Sequence, residues 1–358
     1  MTLLLTNEEV EQVLTPEDTI AATESIYREL ANGAALNRPR TQTYLPVESK
    51  EHPGFKYRMK SQEGGSSESG VWALRITSDM AGFAYTAGVK RRRILPCATG
   101  NRYCGLIVLF DIERIEPIAI MADGVIQKMR VAALSAVGAK YLARKDSKTL
   151  GLFGTGWQAR PHLEFLHRIF HFEQVKVFSP NQEHCREFCR GMSEKLGVSV
   201  RAVASPREAV EGSDIVQAAT AAWDAVFDGH LVEKGMYIAS IGGADASNKR
   251  RELDDETFRR SDLYVVHSLE VGRNDKSPDV WELAEKGIKK WEEIYELQDL
   301  LVGRVPGRTS PDQITVFNNN TGAGIQFAAV GSVVLKRARE KKLGREIPTE
   351  WFLESVSP

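Results

Sequence analysis

An apolar run ending at Phe153 opens into Gly154-x-Gly156-x-x-Ala159, small residues spaced as a strand-to-helix turn needs them when a phosphate must reach the backbone. Glycine first permits the tight turn. Glycine second removes the side chain that would hold a phosphate away, and alanine third lets the helix lie close to the strand. The implied chemistry is a dinucleotide pyrophosphate seated on unpaired N–H groups at a helix's positive end. Gly154, Thr155, Gly156, Trp157 and Gln158 are therefore the pyrophosphate-binding candidates. In a site for NAD, an Asp or Glu ~20 residues further on grips the ribose 2′-hydroxyl. Here that place holds Val177-Phe178-Ser179-Pro180-Asn181, so Ser179 and Asn181, with Arg186 beyond them, favour NADP slightly over NAD as cofactor.

Other residue types suit a small charged substrate. Arg130 lies in an Ala-rich helical stretch, and a guanidinium there offers an always-charged bidentate partner for a carboxylate. Asp245 follows an apolar run and the pair Gly242-Gly243, where open α/β sheets carry functional residues. Thr220 ends another apolar run, in reach of a ribose or nicotinamide. Asn318, Asn319 and Asn320 precede Gly322-Ala323-Gly324, either as ligand-binding amides, Asn320 foremost, or as a turn cluster. His184, Cys185 and Cys189 share a helix face, but no fourth ligand stands at a usable spacing, so no metal is expected.

The elements that position these residues follow from periodicity. Strands are expected over 71–77, 104–111 and 117–122, the last two as a hairpin, and then over 150–153, 175–178, 198–203, 215–218, 237–241 and 263–266. Helical spacing marks residues 7–33, with Thr15-Pro16 starting a second helix and Gly33 stopping it, and also 125–143, 157–170 and 324–340. The strand-helix rhythm after residue 149 argues a doubly wound parallel sheet of Rossmann type. Residues 34–70, with Pro39, Pro46, Pro53 and Gly64-Gly65, read as irregular, and 63–70 as a mobile loop. Lys60 then reads as an exposed loop lysine.

Bulk properties narrow the partners. A chain of 358 residues, 42% hydrophobic, suits two domains. With 47 basic against 48 acidic residues there is no electrostatic case for nucleic acid or a membrane surface. No window is long and apolar enough to span a bilayer, and four irregularly placed cysteines make no disulfide framework, so a cytoplasmic protein is expected.

Taken together, the chain resembles the ornithine cyclodeaminase and mu-crystallin family. The resemblance runs over about residues 15–340 and is carried by Gln127-Lys128-Met129-Arg130-Val131-Ala132-Ala133, the Gly-Thr-Gly-Trp-Gln-Ala-Arg turn, Ala219-Thr220, Ser240-Ile241-Gly242-Gly243-Ala244-Asp245, Glu252-Leu253-Asp254 and Val316-Phe317. It implies a homodimer in which a discontinuous α+β domain (1–130 and 320–358) binds substrate and dimerises, while 131–319 forms the NAD(P)-binding Rossmann domain. It implies an imino or amino acid substrate, with Arg130 and Arg40 on its carboxylate and Asp245 on its amine.

Two departures from the family stand out. Arg75 occupies the position of the family's active-site lysine, and an arginine that never loses its proton binds carboxylate but serves poorly as an acid or base. Gln326 stands where many relatives carry an acid. The expected activity is that of an imine reductase or amino acid dehydrogenase. A cyclodeaminase with recycled NAD, and a ligand-binding protein without turnover, are the alternatives.

Overall fold

The computed structural model describes residues 1–86, 88–243, 249–320 and 322–356. In chain order its elements are β1 (Thr2–Leu5), α1 (Asn7–Glu11), α2 (Pro16–Ala31), β2 (Ala35–Asn37), β3 (Thr41–Glu48), β4 (Lys56–Ser66), β5 (Val71–Thr86), β6 (Val89–Leu95), β7 (Cys104–Asp111), β8 (Glu116–Ala122), α3 (Gly124–Leu142), β9 (Thr149–Phe153), α4 (Ala159–Phe170), β10 (Gln174–Phe178), α5 (Gln182–Leu196), β11 (Ser199–Ala202), α6 (Pro206–Val210), β12 (Ile215–Ala218), β13 (Tyr237–Ser240), α7 (Asp255–Arg260), β14 (Leu263–Val266), α8 (Leu269–Asn274), α9 (Leu283–Glu285), β15 (Ile294–Glu296), α10 (Leu297–Leu301), β16 (Thr315–Asn318), α11 (Gly324–Glu340) and β17 (Arg345–Ile347). They form two compact units, one of residues 1–82, 94–130 and 322–358, the other of 83–93 and 131–321. Among the described residues no helix is long and apolar enough to cross a membrane.

The first unit is a mixed sheet in the order β17-β1-β8-β7-β5-β4-β2, with β3 on β4, and α11 packs on β4, α2 and β7. Helix α2 starts where its chemistry says it should: Thr15 caps it by accepting from the Asp18 N–H at 3.2 Å, and Pro16 follows. Its buried stripe includes Ile26 and Tyr27.

The expected irregular stretch at 34–70 is instead three strands. Residues 56–66 pair with β5 in continuous antiparallel register from Lys56↔Ala81 to Ser66↔Val71. Gly64 and Gly65 sit inside that strand because backbone comes too close for a side chain. A Cβ on Gly64 would stand 2.7 Å from the Ile325 nitrogen, and one on Gly65 2.6 Å from the Val71 oxygen. Only the tight turn at 67–70 is left of the expected loop.

The second unit bears out the doubly wound α/β reading. Its sheet runs β11-β10-β9-β12-β13-β16-β14-β15, with parallel pairs throughout. Strands β9, β12, β13, β14 and β16 are buried almost end to end, as helices on both faces require. The chain reverses direction of winding between β9 and β12, and at such a switch point the carboxyl ends of the strands open a crevice for ligand. Strands β15 and β16 lack a clear periodic signal and extend the sheet beyond the expected set.

Candidate active site

Phe153 ends β9 against the switch point, and Gly154 turns the chain with φ of +104°. A side chain there would be strained, and its Cβ would lie 2.5 Å from the Ala219 oxygen. The turn is pinned by Gly154 N–H donating to Phe178 O at 3.0 Å and Ala219 N–H donating to Phe153 O at 2.9 Å. Gly156 has open space where its Cβ would be, with no heavy atom within 4 Å. Helix α4 begins without any side-chain cap, which leaves its first N–H groups to other acceptors. Gln158 Oε1 is buried with no hydrogen-bond partner, and Trp157 is exposed. An open cradle and uncapped N–H donors are what a bound pyrophosphate would fill, so the residues fit a dinucleotide.

The neighbouring strand ends are tied together by residues that the sequence reading singled out and by two, Arg250 and Glu252, to which it gave no role. Thr155 Oγ1 lies 2.9 Å from His184 Nδ1 on α5. Ser179 is buried after β10, and Asn181 Oδ1 caps α5 by accepting from His184 N–H at 3.0 Å. Beyond β12, the N–H and hydroxyl of Thr220 both donate to one oxygen of buried Glu252, each at 2.6 Å, while its other oxygen accepts from Ile241 N–H at 2.8 Å. Arg250 adds bonds to the carbonyls of Gly243 at 3.0 Å and Thr220 at 3.3 Å. One short segment thus clasps the loops after β12 and β13.

A second tie runs from the asparagines to the phosphate turn. Asn319 donates to Val131 O at 2.9 Å and to Ser135 Oγ at 3.2 Å, and Ser135 Oγ lies 3.1 Å from His162 Nε2. His162 Nδ1 stands 2.6 Å from Gln158 O. A carbonyl only accepts, so Nδ1 carries the proton, Nε2 accepts from Ser135, and the donors run in one direction. Burial pushes His162 down to about 4, against the raising effect of the Gln158 carbonyl, and keeps the ring neutral. Asn320 donates to Ser268 O at 3.1 Å, and Asn318 donates to Asp279 at 2.8 Å. Asp279, buried, is pushed up to about 6 by desolvation, with Arg251 opposing.

In the first unit, arginines converge. Arg75 gives Nε and Nη2 to Asp123 Oδ2 at 2.8 and 2.6 Å and Nη1 to Gln62 Oε1 at 2.7 Å. Arg130 gives Nη1 to Gln326 Oε1 and Nη2 to Gln127 Oε1, both at 2.8 Å. Among the described residues, no carboxylate lies within ion-pair distance of Arg130. Desolvation, then the Arg75 charge and last Arg40, push it down to about 9, although Tyr27 and Asp123 oppose this. Arg40, not the exposed Arg38, is thus the partner felt at this cluster. Both Arg75 and Arg130 lie over the Phe327 ring, at 5.4 and 5.2 Å. Gly322 is glycine because a Cβ would fall 2.4 Å from the Arg130 nitrogens.

The two departures find a joint explanation here. Gln326 accepts from Arg130 and donates to Tyr27 at 2.8 Å, a neutral bridge where an acid would cancel the guanidinium's charge. Arg75 keeps a charge, but Asp123 matches it. Asp123 and Gln62 gave little sequence signal, since their roles depend on strand register. Lys60 is no loop lysine: it sits in β4, its side chain 14% exposed, with Nζ 3.7 Å from Asp79. Asp245 lies outside the described residues.

A Rossmann-type nucleotide unit joined to a unit with a buried arginine cluster defines a class of two-domain, dinucleotide-dependent proteins that act on small acids. The chain belongs to the ornithine cyclodeaminase/mu-crystallin family, whose model matches residues 1–342. It is 29% identical to an alanine dehydrogenase of Archaeoglobus fulgidus over 97% of this chain and 98% of the relative. Among solved structures it is similar to the Delta(1)-pyrroline-2-carboxylate reductase of Thermococcus litoralis in complex with NADH and L-proline. That match has 31% identity and a TM-score of 0.82 and covers 97% of this chain and all (100%) of the other. An archaeal alanine dehydrogenase dimer with bound NAD gives a TM-score of 0.80 at 27% identity, over 97% and 99% of the two chains.

Proposed function

We propose that the protein is an NAD(P)(H)-dependent oxidoreductase acting on the C–N bond of a small imino or amino acid, as an imine reductase or amino acid dehydrogenase. The observation that carries this reading is Arg130, a buried guanidinium that, among the described residues, bonds two amides and no carboxylate. A buried cation without a counter-ion is costly, and a substrate α-carboxylate offsets that cost with two parallel N–H···O bonds. Gly154, Thr155, Gly156, Trp157 and Gln158 hold the pyrophosphate, with Thr220 and Asn320 on the nicotinamide side. When bound, the dinucleotide supplies or accepts the hydride at the substrate's α-carbon. Arg130, with Arg75 and Arg40, orients the carboxylate, and Asp245 gives a proton to the amine nitrogen on reduction or takes it on oxidation.

Cofactor choice follows from the end of β10. Ser179 and Asn181 bring no carboxylate there to repel a 2′-phosphate, so NADP(H) is accepted alongside NAD(H) and slightly preferred. The alanine dehydrogenase dimer supports a homodimer for this chain. Exposed Met59 and Leu106 share a face of the first unit's sheet opposite Lys60 and Gln62, an apolar surface suited to such contact. Exposed free thiols at Cys97 and Cys104 suit a reducing compartment, the cytoplasm.

The test is a panel of cyclic imines, 2-oxo acids with ammonia or methylamine, and amino acids, read as oxidation or reduction of the nicotinamide. Turnover of at least one imino acid that vanishes in Asp245→Ala supports the reading. Silence across the panel, with tight cofactor binding, favours a ligand-binding role. Release of ammonia from ornithine with catalytic NAD would favour cyclodeamination, which Arg75 in the lysine position argues against.

A further inference from the structure

Alternation along β4 and β5 carries the arginine face further than an α-carboxylate needs. Gln62↔Arg75, Lys60↔Thr77 and Arg58↔Asp79 are successive same-face pairs of one antiparallel ladder. Each step along it is ~7 Å. The first pair belongs to the cluster with Asp123. At the last pair, Arg58 takes both oxygens of Asp79, at 2.9 and 2.7 Å, and is 1% exposed. Between them stands the Lys60↔Thr77 pair, of which the Thr77 hydroxyl is left open. Thr77 is 7% exposed and its hydroxyl has no hydrogen-bond partner. Lys60, directly across from it, holds its ammonium in the same row, 3.7 Å from an Asp79 already engaged by Arg58.

A buried hydroxyl left without a partner is costly unless a ligand completes it. Here it lies one ladder step from the Arg75 cluster, beside a lysine and with a saturated Arg58–Asp79 pair behind. Neither an apolar nor a cationic side chain would satisfy that row. An anionic group would accept from the Thr77 hydroxyl and the Lys60 ammonium together. One ladder step of ~7 Å separates two such groups by the length of roughly four or five methylenes.

We propose that Lys60 and Thr77 form a second anion subsite, and that the substrate is an imino acid whose side chain ends in a second carboxylate. This rests on the reading of Arg130 as the α-carboxylate holder. The α-carboxylate lies at the Arg130–Arg75 end and the distal carboxylate at Thr77. Arg58 and Asp79 are positioning residues that fix the strand pair.

The experiment uses the full chain and two readouts, binding of dead-end acids by calorimetry and initial rates. Adipate and pimelate are compared with butyrate at one ionic strength, and imino acids ending in carboxylate with those ending in methyl. The wild type should bind a dicarboxylate about tenfold more tightly than butyrate. Thr77→Val, which keeps shape, and Lys60→Gln should each remove that preference while leaving butyrate binding and melting temperature unchanged. Dicarboxylates binding no better than butyrate, or Thr77→Val weakening both alike, overturns the subsite while leaving the Arg130 reading in place. Butyrate binding that is indifferent to Arg130→Met overturns that reading, and the subsite with it.

Discussion

Replacing Arg130 with methionine separates what this residue does for the fold from what it does for the substrate. The native guanidinium is buried and, among the described residues, bonded to the carbonyl ends of Gln127 and Gln326, at 2.8 Å each from Nη2 and Nη1. Removing it leaves two amide oxygens unpaired, at about 1–3 kcal/mol each, but also removes a buried charge whose desolvation costs several kcal/mol. The terms oppose, so R130M should keep its melting temperature to within about 5 °C. Catalysis should behave otherwise. Two charge-assisted bonds to a carboxylate are worth about 3–6 kcal/mol, which is about a 10²- to 10⁴-fold loss in kcat/KM, and R130K, which keeps charge but loses the fork, should fall between.

The pH dependence gives an independent readout. Burial pushes Arg130 down to about 9 in the fold, below the ordinary guanidinium range, so the folded chain gives up this proton first. This group's contribution to stability is therefore lowest below pH about 9 and grows as pH climbs from there toward the ordinary guanidinium range. Carboxylate binding needs the charged form, so KM should rise as pH passes about 9 while kcat changes less. Steady-state kinetics and thermal melts of wild type, R130K and R130M test this. A wild-type KM for the carboxylate substrate in R130M would refute the reasoning, and so would a collapse of melting temperature in step with activity.

Other residues yield shorter predictions. Glu252→Gln turns an N–H donor toward that of Ile241 or Thr220, where the carboxylate accepted three bonds; it should cost about 1–3 kcal/mol of stability and weaken dinucleotide binding measured by Trp fluorescence. Gly64→Ala puts a Cβ 2.7 Å from the Ile325 nitrogen and should destabilise the first unit by about 1–3 kcal/mol, seen as a lower melting temperature. His162, lowered from 6.5 to about 4, stays neutral in the fold while the unfolded chain takes up a proton. Its stabilising share, present above pH 6.5, is lost as pH falls toward 4, so denaturant titrations should show a gentler acid loss in His162→Gln than in wild type.

Much of the fold was legible because it is periodic. The apolar runs of the second unit sit in strands buried on both faces, and α2, α3 and α11 follow from helical spacing with Thr15-Pro16 as a start signal. What composition misled was 34–70. Gly64-Gly65 in a Ser-rich stretch reads as flexibility, whereas Gly65 answers to the Val71 carbonyl of the paired strand and Gly64 to a helix more than 250 residues later in the chain, whose Ile325 nitrogen occupies its side-chain space. Nothing local to β4 announces that.

The site divides in the same way. The phosphate turn is local in sequence, so its glycines could be read directly, but the partners that set the charge of each arginine are not. Asp123 lies 48 residues from Arg75, and Gln326 lies 196 from Arg130. Seen singly in the sequence, Arg75 reads as a replaced lysine and Gln326 as a replaced acid. Together they put an ion pair on Arg75 and, among the described residues, leave Arg130 bonded to neutral amides, so the cluster stays cationic without a proton-exchanging ammonium. That exchange suits a site that holds a carboxylate and leaves proton transfer to another group. It also explains why substituting lysine at Arg75 alone should not install cyclodeamination: Asp123 would then pair with the new ammonium and hold its proton.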